Sequence, residues 1–277
     1  MTLKLDGKVA LVSGSGRGIG RAIAMKLASE GARLVINDLD EKPANETVAD
    51  IKAAGGDAVA CPGDVTAADF GERFIGTAVN HFKGLDIIIN NAGYTWDSTI
   101  HKMTDEQWYA IIDCHLTAPF RILRAARPVI QKLWTQESAN GQRNLRKVVN
   151  ISSIAGLFGN AGQANYSAAK AGITGLTKTL AKEWGRMNVT VNCVAFGLIN
   201  TRLTEATAGA GSTIDIKGHE IKVGVNKDLK NAMEHMIPLG RGGTPDEAAG
   251  AVSLFCFPEA DYVSGQVLMC TGGLTGV

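Results

Sequence analysis

The sequence predicts a doubly wound α/β fold: a parallel sheet of about seven strands with helices on both faces, in one domain. Three observations carry the prediction. Short apolar runs recur along the chain, they do not alternate with polar residues, and helix-length segments separate them. Runs without alternation suit strands buried on both faces, the setting of a parallel sheet covered by helices. Strand and helix in regular succession imply βαβ units.

The elements follow in order. VALVSG (9–14) is the first strand, and the helix after it spans 18–30, where Ile19, Ile23 and Leu27 recur every four residues. RLVIND (33–38), DAVACPGD (57–64) and LDIIINNAG (85–93) are the next three strands. TQESANGQRNLR (135–146) reads as a polar loop before the fifth, KVVNISS (147–153). A helix over 164–184 carries Ile173, Leu176, Leu180 and Trp184 on one stripe. VTVNCVAFG (189–197) and QVLMCTGG (266–273) complete the sheet.

Residues 206–235 read as an insertion. After the flexible start ATAGAGS, Ile214 and Ile216, then Ile221, Val223 and Val225, alternate around a turn at Gly218, a hairpin pattern. Its length, and its place after the sixth strand, suggest a mobile lid over a substrate. No Pro/Ser-rich linker and no repeat divides the chain, so residues 1–277 are read as one domain.

Composition narrows the function. The net charge of +1 offers no strong field for nucleic acid or an anionic membrane. Cys61, Cys114, Cys193, Cys256 and Cys270 are scattered, odd in number and lack a C-x-x-C pair. They read as reduced thiols of a cytoplasmic protein, with neither a disulfide framework nor a zinc site. The N-terminal apolar run is too short for a signal peptide or a membrane span.

Chemistry begins at SGSGRGIG (13–20). Gly14, Gly18 and Gly20 fit G-x-x-x-G-x-G; Ile19 breaks the commoner G-x-G-x-x-G. Small residues between a first strand and a helix let backbone approach a pyrophosphate, which meets the positive end of the helix. The second strand ends at Asp38, 20 residues beyond Gly18. A carboxylate there accepts hydrogen bonds from adenine-ribose hydroxyls and repels a 2′-phosphate, which favours NAD over NADP. Arg17 is the opposing signal, because its side chain could reach a phosphate.

Further on, NYSAAKAG (165–172) sets Tyr166 and Lys170 four residues apart. Such a pair can be an ordinary contact on a solvated helix face. It can also be an acid/base, since a nearby cation lowers a tyrosine pKa from about 10.

These stretches together resemble the short-chain dehydrogenase/reductase family. The glycine loop, NNAG (90–93), YSAAK (166–170) and a serine 13 residues before the tyrosine carry the likeness, which runs over about 5–205 and 237–275. Members most like this chain include 3-oxoacyl-(acyl-carrier-protein) reductases and bacterial secondary-alcohol dehydrogenases. The resemblance implies hydride transfer between a nicotinamide cofactor and a secondary alcohol or ketone, possible 3-oxoacyl thioesters included, by a Ser-Tyr-Lys set. Tyr166 would be the acid/base, Lys170 would lower its pKa and hold the nicotinamide ribose, and Ser153 would bond the reacting oxygen. Ser13, Gly14, Ser15, Arg17, Gly18, Ile19 and Gly20 would surround the pyrophosphate. Asp38, Leu39, Asp64 and Val65 would border the adenosine. Asn91, Ala92 and Gly93 would line the cleft, with Gly197, Ile199 and Thr201 near the nicotinamide. Tyr94, Trp96, Phe158, Phe196 and Leu198 would line an apolar substrate pocket. A homotetramer is implied as well.

Three positions depart from the family pattern. Phe196-Gly197 replaces Pro-Gly, Thr271 replaces an aspartate, and His115 stands where the family has asparagine in the proton relay. A histidine with its ordinary pKa of about 6.5 would add a charge near Tyr166 on protonation and make the rate pH-dependent. The alternative function is a non-catalytic NAD-binding scaffold or redox sensor. Arg121, Arg124 and Arg127 on one helix read as a solvated or subunit-facing surface more than a carrier-protein dock.

Overall fold

The computed structural model describes residues 3–201, 204, 206–207, 212–216 and 218–275. The elements run β1 (Val9–Val12), α1 (Gly18–Ser29), β2 (Arg33–Ile36), α2 (Glu41–Ala53), β3 (Asp57–Ala60), α3 (Phe70–Phe82), β4 (Ile87–Asn90), α4 (Asp105–Ile112), α5 (Ala118–Ala139), β5 (Arg146–Ser153), α6 (Ile154–Phe158), α7 (Ala164–Trp184) and β6 (Val189–Phe196). Then come β7 (Ala206–Thr207), β8 (Ser212–Ile216), β9 (His219–Val223), β10 (Val225–Asn226), α8 (Lys227–Met236), α9 (Pro245–Leu254) and β11 (Val267–Cys270).

The main sheet has seven strands in the order β11-β6-β5-β4-β1-β2-β3, and each neighbouring pair is parallel. Its strands are mostly apolar because both faces are covered. Ala10, Val12, Ile87 and Ile89 point to one core with Ile23, Leu27, Ile51 and Val252 of α1, α2 and α9. Val9, Leu11 and Ile88 point to the other with Phe74, Ile122 and Trp184 of α3, α5 and α7. Successive residues of a strand face opposite ways, so an unbroken apolar run feeds two cores. Each large side chain so buried contributes roughly 1.5–3 kcal/mol of transfer free energy. The expected single doubly wound α/β domain is therefore present.

The order reverses between β1 and β4, and the carboxyl ends of the strands there open onto a cleft, as the topology of such sheets dictates. Among the described residues no helix is long and apolar enough to cross a membrane. The stretch read as a loop at 135–146 is helical at its start, because α5 runs to Ala139. Arg146 anchors that last turn through a two-pronged ion pair with Glu137.

The insertion forms the expected hairpin: β8 and β9 pair antiparallel, with Ile214 opposite Ile221 and Ile216 opposite His219. Residues 208–211 and 217 of the predicted lid lie outside the described residues.

Candidate active site

The cleft at the sheet's carboxyl edge has a volume of about 1660 Å³. At its floor the chain leaves β1 through Gly14, whose φ of +63° is in the left-handed region. A Cβ there would sit 2.7 Å from Ala92 Cα, so a side chain cannot be accommodated and the backbone itself lines the crevice. α1 follows without any side-chain cap on its first turn and without an acidic residue there. Its amides are thus left for an anion, and the site fits a dinucleotide pyrophosphate.

Side chains behind the loop hold it. Asn91 Nδ2 donates to the carbonyls of Ser13 and Gly14, both at 3.0 Å, and Asn37 Oδ1 accepts from the Gly14 amide at 3.1 Å. Asn37 Nδ2 also donates to Cys61 and Gly63, tying β2 and β3 ends to the loop. Ser13 and Ser15 are buried behind the loop: Ser13 Oγ accepts from the Asn91 and Ala92 amides, and Ser15 Oγ donates to Val12. Their hydroxyls brace the turn, because a turn this tight leaves its own polar groups to satisfy first.

Arg17, Gly18, Ile19, Gly20, Asp38, Leu39, Asp64, Val65, Asn91, Ala92 and Gly93 all line the cleft, as do Gly197, Ile199 and Thr201 across from the loop. Asp38 is half-buried, and that burial raises its carboxyl pKa, while the Asp40 amide and Arg17 pull it down. Arg17 Nη1 lies 3.0 Å from Asp40 and 4.0 Å from Asp38.

At the other end, Ser153 terminates β5 and caps α6, its Oγ accepting from the Ala155 amide at 3.2 Å. Tyr166 and Lys170 sit one turn apart on α7. Asn165, fully buried, fixes the start of that helix: its amide group donates to the carbonyls of Trp96 and Gln107, and its oxygen accepts from the Tyr166 amide. Lys170 is tied to β5 twice, through Nζ to the Ile151 carbonyl at 2.7 Å and through its own carbonyl to Ser152 Oγ at 2.8 Å.

The electrostatics differ from the expectation that Lys170 depresses the tyrosine pKa. Burial pushes Tyr166 up to about 12, and a hydrogen bond with Ser153 pulls the other way. Lys170 Nζ stands 5.6 Å from the centre of the Tyr166 ring, over its face, and bonds to backbone. Burial brings Lys170 itself down to about 8. In the cofactor-free protein the phenol is therefore neutral, and the lysine titrates near neutrality.

His115 reaches the same place by a π-helical turn, Asp113–Thr117, between α4 and α5. Such turns advance a side chain out of ordinary helical register. The ring is 4% exposed and meets the Tyr166 ring edge-on at 5.0 Å. Nε2 faces both backbone groups of Tyr94, 2.7 Å from its carbonyl and 3.2 Å from its amide, and Nδ1 has no partner. The close fit demands glycine at 93, where a Cβ would overlap the imidazole. Burial, and then the charge of Lys170, hold the His115 pKa well below 6.5. The expected protonation near 6.5 is thus not met: a buried imidazole beside an ammonium stays neutral.

Tyr94, Trp96, Phe158, Phe196 and Leu198 all line the cleft beyond Tyr166. The hairpin covers this end. His219 Nε2 is 3.2 Å from Glu106 on α4, its ring is 5.1 Å from Trp96, and Ile221 is 2% exposed. Asp97 accepts from Gln163 at 2.8 Å, linking the Trp96 loop to the approach of α7. The three arginines of α5 are each engaged within the chain: Arg121 with the Thr66 carbonyl, Arg124 over Phe120, and Arg127 with Gln131.

This arrangement has known counterparts. The family described as enoyl-(acyl-carrier-protein) reductase matches residues 14–275. The chain belongs to the short-chain dehydrogenase/reductase family. It is accordingly an NAD(P)-dependent oxidoreductase. It is 38% identical to a 3-oxoacyl-(acyl-carrier-protein) reductase of Synechocystis sp., over 98% of both chains. A 3-oxoacyl-(acyl-carrier-protein) reductase of Vibrio cholerae is 36% identical over 98% of this chain and 99% of its own. The crystal structure of a dehydrogenase/reductase from Sinorhizobium meliloti 1021 superposes with a TM-score of 0.82 at 31% identity, covering 99% of this chain and 97% of that one.

Asn37 and Asn165 were missed by the sequence reading. The one signal for Asn37 was an amide side chain at the end of an apolar strand; Asn165 had none beyond its place beside Tyr166.

Proposed function

We propose that this oxidoreductase is NAD-dependent and interconverts a hydrophobic secondary alcohol and its ketone, with Ser153, Tyr166 and Lys170 as the working set. The 3-oxoacyl thioesters named for its relatives are the first substrates to test. The observation that carries the reading is the convergence of Ser153, Tyr166 and a buried Lys170 in the cleft that the glycine loop also lines.

When bound, a nicotinamide cofactor would supply or accept the hydride. Ser153 and Tyr166 bond the substrate oxygen and stabilise charge developing on it. With its pKa near 12, Tyr166 holds its proton at neutral pH, the form that protonates a carbonyl oxygen during reduction. In the reverse direction it takes that proton back. Lys170, held by Ile151, keeps a cation within reach of the ring, and its pKa near 8 lets it share protons at working pH. His115 acts as a neutral support for the Tyr94 strand end and the Tyr166 ring.

The cofactor assignment rests on Asp38. Like charges set against one another cost several kcal/mol, so kcat/KM for NADH is expected to exceed that for NADPH by at least ~10-fold, and Asp38→Ser should narrow the gap. Steady-state assays with both cofactors, over a panel of ketones and 3-oxoacyl thioesters, check this. A wild-type preference for NADPH sinks the assignment.

The β8–β9 hairpin is proposed as the substrate lid, since His219, Ile216 and Ile221 border the pocket. Hydrogen exchange over residues 212–223 is expected to slow when NADH is bound. Equal, strong protection with and without cofactor would make the hairpin a fixed structural element. Exposed Tyr109 and Phe120 on α4 and α5 suit the contact surface of a homo-oligomer, and the five free cysteines suit a reducing compartment.

A further inference from the structure

The adenosine end of the cleft holds four charged side chains, Arg17, Asp38, Asp40 and Asp64. Arg17 precedes α1, and its guanidinium lies beside Asp38 in the lining of the cleft. Left free, a guanidinium in that position would attract a 2′-phosphate and oppose the selection made by Asp38. It is not left free. Its Nη1 stands 3.0 Å from Asp40 Oδ2, within hydrogen-bond distance, and 4.0 Å from Asp38 Oδ1. Asp40 sits just ahead of α2, and its backbone amide donates to Asp38 Oδ1 at 3.2 Å, so the Asp38 carboxylate is tied to the residue whose side chain holds Arg17.

We propose that Asp40 is a positioning residue for cofactor selection: it draws Arg17 off the 2′-phosphate position and so makes Asp38 effective. The inference rests on the NAD reading above and adds a second determinant to it. Three carboxylates, Asp38, Asp40 and Asp64, against one guanidinium leave this end of the cleft with a net negative charge. Removal of Asp40 takes away one carboxylate and releases the cation together. Removal of Asp38 alone leaves Arg17 paired with Asp40. For that reason Asp38→Ser by itself should only weaken discrimination, and conversion to NADP use should require both changes.

The pair is about half-exposed on each side, so its strength is that of a surface ion pair, and the expected effect is correspondingly limited. The test is direct binding, read by fluorescence titration with NADH and NADPH and by calorimetry with ADP and 2′,5′-ADP. Asp40→Ala is expected to tighten NADPH and 2′,5′-ADP about three- to five-fold, with NADH and ADP unchanged within about two-fold. Measured against Arg17→Ala, the gain in Arg17→Ala/Asp40→Ala should shrink to the part owed to the lost carboxylate alone, and Asp40→Glu should restore the wild-type ratio. It should also shrink as salt rises from about 0.05 M to 0.5 M, where an exposed pair is screened.

Two results overturn the proposal. If the gain is undiminished without Arg17, Asp40 acts only by its own charge. If NADH and NADPH shift alike, the substitution has altered the site's shape. The wild-type ratio of NADH to NADPH affinity tests the Asp38 reading separately, so failure of one is distinguishable from failure of the other.

Discussion

Tyr166→Phe is expected to lower turnover by at least ~10²-fold, within the range that general acid/base groups supply, while the protein folds and binds NADH as before. The substitution keeps the ring, and with it the edge contact to His115 and the packing under Lys170. It removes the hydroxyl that bonds Ser153 and carries the proton. Only chemistry at the substrate oxygen should suffer, so kcat falls and the cofactor Kd holds. The measurements are single-turnover rates and fluorescence titration with NADH, beside a thermal melt. Near-normal turnover would show that another group moves the proton. His115 is the nearest titratable ring, yet its pKa well below 6.5 leaves it unable to hold a proton for donation at neutral pH.

The same residues show which parts of the site are legible in a sequence. Tyr166 and Lys170 could be paired because four residues along a helix always bring side chains to one face. Gly14, Gly18 and Gly20 could be placed because a strand leading into a helix through small residues has few other uses. The seven strands followed from unbroken apolar runs, which the two cores explain. What escaped depends on partners distant in the chain. Asn37 braces Gly14 and Gly63, and Asn165 joins Trp96 and Gln107; no local pattern marks either amide. His115 could be named as a departure from the family pattern but not oriented, because the π-turn breaks the 3.6-residue period that placed everything else. The effect of Lys170 was misjudged for a related reason. Spacing showed that it is near Tyr166, but not that Ile151 captures its ammonium and that burial outweighs its charge.

That burial gives the second large expected effect. Lys170→Met should abolish most activity, by at least ~10²-fold, and yet raise the stability of the cofactor-free protein. Burial depresses the Lys170 pKa from 10.5 to about 8, which corresponds to a cost of roughly 3 kcal/mol for keeping the ammonium folded inside. The unfolded chain binds the proton more tightly than the folded one, so the cost is present in full below pH 8. It fades as pH rises from 8 to 10.5, where the lysine is neutral in both states. Methionine fills the same space without a charge, but it leaves the Ile151 carbonyl without its donor, a loss of about 1–2 kcal/mol. The net gain is about 1–2 kcal/mol at pH 7, or a rise in Tm of a few degrees for a chain of this size. Melts of wild type and variant at pH 7 and pH 9.5, without cofactor, read it: the variant should lead at pH 7 and the lead should narrow at pH 9.5. A variant less stable than wild type at pH 7 would mean that the Ile151 bond outweighs the buried charge. The expected pattern instead would mark Lys170 as a group retained for catalysis at the expense of stability.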